Sequence, residues 1–159
     1  MIGAVGPREL GGGTLQLVER ELAAVLERCA AGATFVVRAG AGLPLVVGRA
    51  VRAAGRRLVV ALPAHGHLPA PLPQQDRTAA GELLLLAEHV RLMAFDPADR
   101  DACVGADEQL VAGCGRLLAI WDGSPSSGRD ATAHLVAFAR SRQIPVDVLW
   151  PAGEPEAAR

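Results

Sequence analysis

Short apolar runs alternate with longer segments of helical periodicity along almost the whole chain. The runs predict six strands, at residues 1–5, 34–40, 57–63, 90–95, 117–121 and 146–150. The segments between them predict five helices, at residues 15–31, 45–54, 76–87, 101–113 and 129–142. Because parallel strands are joined by right-handed helical crossovers, this order predicts an α/β fold with an open, mostly parallel sheet and helices on both faces.

Turn-forming and capping residues mark the limits of these elements. Thr14 is the predicted cap of the first helix, and Gly32 its predicted end. Residues 64–75 contain Pro69, Pro71 and Pro73, which exclude a helix there and predict a loop. We expect one domain over residues 1–151, followed by a frayed tail at residues 152–159.

Charge and composition exclude several classes of partner. The 16 basic and 17 acidic residues give a net charge of −1 and form no run of like charge, so we expect neither nucleic acid nor a membrane surface as partner. No apolar segment is long enough to span a bilayer and no signal peptide begins the chain, so we expect a cytoplasmic protein. Tyrosine is absent and aromatic residues make up 3% of the chain, which argues against a base-stacking surface of the kind found in RNA-binding proteins.

Neither a metal nor a resident cofactor is expected. The three cysteines, Cys29, Cys103 and Cys114, lack the close spacing of a metal knuckle and are predicted to be small apolar fillers. His65 and His67 lie two residues apart, which makes a metal site only if further ligands come from elsewhere. His134 is predicted to be a surface or partly packed side chain.

The loops that follow the strands are the candidate sites, because ligands of open α/β sheets bind beyond the carboxyl ends of the strands. Residues 123–132 are the strongest candidate: Gly123 and Gly128 enclose four residues, among them Ser124 and Ser127, and a helix follows. Small residues let backbone N–H groups approach an anion, which the helix end also favours. The alternative is a plain strand-to-helix turn in which Ser127 or Asp130 caps the helix.

Individual side chains around this loop have two interpretations each. Asp122 either binds a ribose hydroxyl or caps its own loop, and Arg129 either pairs with a phosphate or is a solvated charge. Arg129 and Asp130 stand where a P-loop has Lys and Ser or Thr, so a P-loop ATPase is rejected. The candidate ligand-binding residues are Gly6, Arg8, Asp122, Gly123, Ser124, Ser127, Gly128, Arg129 and Thr132.

The last third of the chain, "GADEQLVAGCGRLLAIWDGSPSSGRDATAHLVAFARSRQIPVDVLWP", resembles the carboxyl half of the SLOG superfamily. These are Rossmann-like nucleotide-binding proteins that include the Lonely Guy phosphoribohydrolases and the DNA-processing A proteins, and the likeness is closer to small stand-alone actinobacterial members. Over residues 2–151 the resemblance implies a Rossmann-like fold, a nucleotide or nucleoside phosphate as ligand, and a homodimer. The tryptophans at two strand ends, Trp121 and Trp150, and the "LPAPLP" segment are consistent with such an interface.

Departures from the family pattern decide which activity to expect. The family's Thr-Gly-His-Arg is Val-Gly-Pro-Arg here, so only Gly6 and Arg8 carry over. Pro44 stands near the position of an expected acid, and the family's Gly-Gly-Thr is Asp-Ala-Thr. The glutamate that cleaves the N-glycosidic bond in Lonely Guy enzymes is missing after Thr132.

Three functions remain open, and whether the chain is an enzyme remains open with them. The first is a regulatory or sensing module that binds a nucleoside phosphate, with the anion on residues 123–132 and the base or ribose near residues 6–8. The second is a hydrolase of nucleoside monophosphates with a displaced carboxylate, for which Glu9, Asp107 and Glu108 are candidates. The third is an interaction module whose binding site has degenerated.

Overall fold

A computed structural model describes residues 1–151; the predicted tail at residues 152–159 lies outside them. The described part contains seven strands and five helices. In chain order they are β1 (Ile2–Val5), α1 (Gly12–Arg28), β2 (Thr34–Arg38), α2 (Leu43–Ala53), β3 (Arg57–His65), β4 (Leu68–Pro69), α3 (Gln74–Leu86), β5 (His89–Ala94), α4 (Arg100–Ala112), β6 (Arg116–Ile120), α5 (Thr132–Ser141) and β7 (Val146–Leu149). None of these helices is long and apolar enough to cross a membrane.

Six of the strands form one parallel sheet. The order across it is β5, β3, β2, β1, β6 and β7, and every pair of neighbours in this series is parallel. The chain therefore moves from β1 in one direction through β2, β3 and β5, and then returns to the other side of β1 to form β6 and β7. This confirms the predicted Rossmann-like open α/β fold, and it places the reversal of strand order between β1 and β6.

Alternate residues of the strands build a core on each face of the sheet. Phe35 and Val37 of β2 pack in the larger core, which contains buried residues of α1, α2 and α3. Val36, the residue between them, packs on the opposite face beneath Ala106 and Leu110 of α4. A smaller cluster on that face joins Leu117 of β6 to α4 and α5. Three helices thus cover one face and two cover the other.

The structure corrects two predictions in the first half of the chain. Residues 64–75 are not wholly a loop, because β3 continues to His65 and forms a short antiparallel hairpin with β4. The first helix begins at Gly12, so Thr14 lies inside it and is not its cap. Apolar periodicity starts only at Leu15, and the glycines before it carry no side chain that could extend the pattern. The helix ends at Arg28, well before Gly32.

The last helix also begins later than predicted. Residues 129–131 belong to the preceding loop, and α5 begins at Thr132. Oδ1 of Asp130 accepts a hydrogen bond from the Thr132 N–H at 2.9 Å, so this side chain satisfies the first amide of the helix from outside it.

Candidate functional site

Gly6 lies where β1 leaves the sheet, next to the end of β6. A Cβ at this position would overlap the Leu43 side chain and would lie 3.0 Å from the Ile120 carbonyl oxygen. Only glycine fits in this space, so packing between β6 and α2 accounts for this residue. The fold thus gives Gly6 a structural role at the position where the family resemblance implies a role in ligand binding.

Arg8, in the same loop, is held against α3. Its Nη2 donates to Oδ1 of Asp76 at 2.6 Å, and the Asp76 oxygen also accepts from the Ala41 N–H at 3.0 Å. Asp76 is buried, whereas the Arg8 side chain is 56% exposed. The pair connects the loop after β1 to the segments that precede α2 and begin α3.

Residues 123–132 follow β6, and side chains of this loop bind its own backbone N–H groups. Oδ1 of Asp122 accepts from the Ser124 N–H at 2.9 Å and from the Ser124 hydroxyl at 2.6 Å. Oγ of Ser127 accepts from the N–H groups of Arg129 and Asp130, at 3.2 and 3.1 Å. Local hydrogen bonds therefore join Asp122 to Ser124 and, separately, Ser127 to Arg129 and Asp130.

The amides that begin α5 are bound in the same way. Asp130 accepts from both the N–H and the hydroxyl of Thr132, which is buried, and Oγ of Ser126 accepts from the His134 N–H at 2.9 Å. The carboxylate of Asp130 thus lies at the helix end, where the sequence predicted an external anion. An anion that binds these amides must take the place of this carboxylate.

Gly128 and Arg129 remain open to solvent at the tip of the loop. Both are exposed, and a Cβ at Gly128 would meet no atom within 4 Å. Gly123 is different, because its φ of 89° lies in the region that favours glycine.

Arg100, a residue that the sequence did not single out, holds this loop from the first turn of α4. Its Nε donates to the Gly128 carbonyl oxygen at 2.9 Å and its Nη2 to the Ser127 carbonyl oxygen at 2.6 Å. The contact adds a positive charge beside the loop. The sequence feature that could have indicated this contact is the position of Arg100 after β5, at the end of another loop on the carboxyl edge of the sheet.

Two side-chain contacts of α4 connect it to its neighbours, one to β2 and one to α5. Arg38, at the end of β2, donates to both carboxylate oxygens of Asp107, at 2.7 and 3.1 Å. Nε2 of His134 lies 2.5 Å from Oε1 of Glu108. Both carboxylates that were considered as catalytic groups on α4 are therefore engaged.

Cys103 lies close to the Arg38–Asp107 pair. Burial raises the pKa of its thiol, the positive charge of Arg38 lowers it by less, and Asp107 raises it further, so the net shift is upward. Since the thiolate is the nucleophilic form, this environment does not activate the thiol.

A cavity of about 240 Å³ opens beside the loop after β1, on the face that carries α1 and α2. Its lining includes Arg8, Glu9, Leu10, Leu15, Leu43 and Val46. The Leu43 side chain that lines the cavity also occupies the space beside Gly6, whereas Gly6 itself does not line the cavity.

Residues 1–151 contain no group of three or more His, Cys, Asp or Glu side chains that could hold a metal ion. His65 and His67 lie at the β3–β4 hairpin. Both tryptophans have contacts within the chain: Trp121 donates from Nε1 to the Ser124 carbonyl oxygen at 2.8 Å, and Trp150 packs against the larger core.

Comparison with known proteins gives no family. No family model matches the sequence, and no curated protein matches it. Among solved structures the chain is similar to the crystal structure of uncharacterized protein ATU2773 from Agrobacterium tumefaciens C58, with a TM-score of 0.26 and 16% identity. The likeness covers 92% of this chain and 61% of the other, so the chain spans less than two thirds of that protein. The identity and TM-score are too low to support a function.

Proposed function

We propose that this chain is a small SLOG-like module that binds a nucleoside phosphate at the carboxyl edge of its sheet, between the loops that follow β1 and β6. The observation that carries the proposal is the reversal of strand order between these two strands. In open α/β sheets the loops diverge at such a point and leave a crevice in which ligands bind. The two loops that flank it are the ones that contain the predicted ligand-binding residues.

The phosphate would bind at residues 123–132. Arg100 lies against the loop carbonyls, and exposed Arg129 begins the segment that leads into α5, so two guanidinium groups contribute positive charge near the helix end. Binding would exchange one anion for another, because the ligand would replace the Asp130 carboxylate at the Thr132 amide. The self-capped loop is then the ligand-free state.

A regulatory or sensing role follows from the state of the carboxylates. Of the three candidate carboxylates, Asp107 is paired with Arg38 and Glu108 contacts His134, so only Glu9 has no hydrogen-bond or ion-pair partner in the described part of the chain. The hydrolase hypothesis therefore has less support than binding alone. The family resemblance adds the proposal that two copies of the chain form a homodimer.

A non-binding interaction module is the second candidate. The hydrogen bonds of the loop favour it, because side chains of the loop already bind the amides of Ser124, Arg129, Asp130, Thr132 and His134. In that case the loop is a strand-to-helix turn stabilised by its own side chains.

Calorimetric titration with AMP, GMP, CMP and UMP separates these two functions. We expect binding of at least one monophosphate, and we expect Arg129→Ala to weaken it by about ten- to hundredfold through loss of a charge-assisted contact. Gly128→Val should also weaken it, because the added side chain would obstruct a phosphate that approaches the loop backbone. Gly115→Val and Arg140→Ala are matched controls, because both positions are exposed and lie at the opposite edge of the sheet. If no monophosphate binds while light scattering shows a dimer, the interaction module is correct.

The hydrolase hypothesis has its own measurement. We expect no release of free base when the protein is incubated with each monophosphate, as followed by chromatography. Release above the rate of a heat-inactivated sample would establish catalysis and would replace the proposal of binding alone.

A further inference from the structure

The cavity beside the loop after β1 has the size and lining of a site for one ring system. Its volume of about 240 Å³ lies below the roughly 300–1,000 Å³ of pockets that hold drug-sized ligands. A whole nucleotide therefore does not fit inside it, whereas the base alone does. Arg8 and Glu9 of its lining belong to the loop after β1, the strand that pairs with β6, so the rest of a ligand whose base lies here would extend toward the end of β6.

Most of the wall is aliphatic. Leu10, Leu15, Leu43 and Val46 contribute apolar surface from three parts of the chain: the loop after β1, α1 and α2. A flat heteroaromatic ring gains free energy by leaving water for such a surface. The polar residues among those that line the cavity then determine which ring is accepted.

Two charged residues in the lining, Arg8 and Glu9, differ in what they offer a ligand. Arg8 binds Asp76 through Nη2, and a guanidinium has other N–H donors. Glu9 forms no hydrogen bond or ion pair with any residue in the described part of the chain. Its ionised carboxylate is an acceptor only, so a bound group must bring donors to it.

We propose that this cavity is the base subsite of the proposed nucleotide site and that Glu9 selects guanine; this inference rests on the proposed function. Guanine presents two adjacent donors, N1–H and the N2 amino group, to a carboxylate, and its O6 acceptor lies beside them for Arg8. Adenine has the opposite arrangement, because its N1 is an acceptor that a carboxylate repels. Hypoxanthine keeps N1–H and O6 but lacks the N2 amino group.

Calorimetric titration with GMP, IMP and AMP tests the assignment. We expect GMP to bind most tightly, IMP about ten- to hundredfold more weakly for the loss of one charge-assisted hydrogen bond, and AMP most weakly. Glu9→Gln should weaken GMP binding by a similar factor and strengthen AMP binding, because a side-chain amide offers adenine both a donor and an acceptor. Glu27→Gln is the matched control, since Glu27 is exposed near the other end of α1.

The possible outcomes distinguish this inference from the function on which it rests. Equal affinities for GMP and AMP, or a folded Glu9→Gln protein with unchanged GMP affinity, overturn the base assignment and leave nucleotide binding intact. Failure of all three monophosphates to bind overturns both. Far-ultraviolet circular dichroism of each variant confirms that it is folded.

Discussion

Arg38 and Asp107 lie 69 positions apart in the sequence and form a two-point ion pair, in which Nε and Nη2 of the arginine donate to the two carboxylate oxygens at 2.7 and 3.1 Å. The side chains are 29% and 15% exposed. Burial lowers the pKa of Arg38, but the charge of Asp107, its hydrogen bonds to the guanidinium and the nearby Cys103 and Asp76 together outweigh this, so the net shift is upward. The pair fixes α4 over the carboxyl end of β2.

Removing Arg38 should therefore destabilise the protein strongly. Arg38→Ala leaves the Asp107 carboxylate largely buried and unpaired, and we expect the free energy of unfolding to fall by about 3–5 kcal/mol. Arg49→Ala is the matched control. Arg49 also contacts both carboxylate oxygens of its partner, Glu82, but these side chains are 58% and 41% exposed, so a loss of about 0–1 kcal/mol is expected. Urea denaturation measures both, and equal losses would show that burial does not set the strength of the pair.

Apolar patterning was sufficient to predict the fold. Contacts between residues distant in sequence could not be predicted from it. The strand and helix order follows from local spacing, as in β2, where Val36 faces one core and its neighbours Phe35 and Val37 face the other. The β4 hairpin was missed because Leu68–Pro69 is too short to show a period. Arg38 and Asp107 pair only after α4 has packed on the sheet, and no local signal precedes that contact.

Gly42 provides a second test of stability. Its φ is 80°, and a Cβ there would overlap the Arg8 carbonyl oxygen, which belongs to the backbone and has little room to move. We expect Gly42→Ala to lower the free energy of unfolding by about 2–4 kcal/mol. Gly81→Ala, in the exposed interior of α3 where a Cβ meets no atom within 4 Å, should instead raise it by about 0.5–1 kcal/mol. A loss at both positions would contradict this explanation.

The position of the two candidate loops was predictable from sequence, whereas their contacts were not. Sequence order was enough to predict that the loops after β1 and β6 lie at the carboxyl edge of the sheet, and they flank the strand reversal. The pairing of Arg8 with Asp76 and the contact of Arg100 with the loop were not predictable, because both depend on where α3 and α4 begin. Asp130 had been considered as the cap of the last helix; the N-cap residue is Ala131, and the Asp130 carboxylate binds the first helical amide from one position before it.

Replacing Asp130 should lower the stability of the protein and raise its affinity for a nucleotide phosphate. Asp130→Ala removes the acceptor for the Thr132 N–H and hydroxyl, and we expect the free energy of unfolding to fall by about 0.5–2 kcal/mol. If a nucleotide phosphate binds at this helix end, loss of the competing carboxylate should raise its affinity by about fivefold, corresponding to roughly 1 kcal/mol. Asp130→Asn keeps an oxygen acceptor without the charge and should lose less stability. Unchanged or weaker binding by Asp130→Ala would argue against phosphate binding at these amides.

The free energy of unfolding should decrease as the pH rises above about 8, because two cysteine thiols have raised pKa values in the folded protein. Burial raises the pKa of both Cys103 and Cys114 above the ordinary value for a thiol. The folded protein then keeps protons that the unfolded chain releases, so the stabilisation is complete below the thiol pKa of the unfolded chain, near about 8.5. It is lost as the pH rises from there through the higher pKa values of the folded state.

The composition makes this measurement unusually direct. The chain contains no lysine and no tyrosine, so the thiols and the terminal amine are the groups that titrate between about pH 8 and 11. We expect the free energy of unfolding, measured in urea under reducing conditions, to fall steadily over this range. Replacing Cys103 and Cys114 by alanine should make the decline shallower, because both shifted thiols are then absent. If the double variant keeps the full slope, these two thiols are not its source.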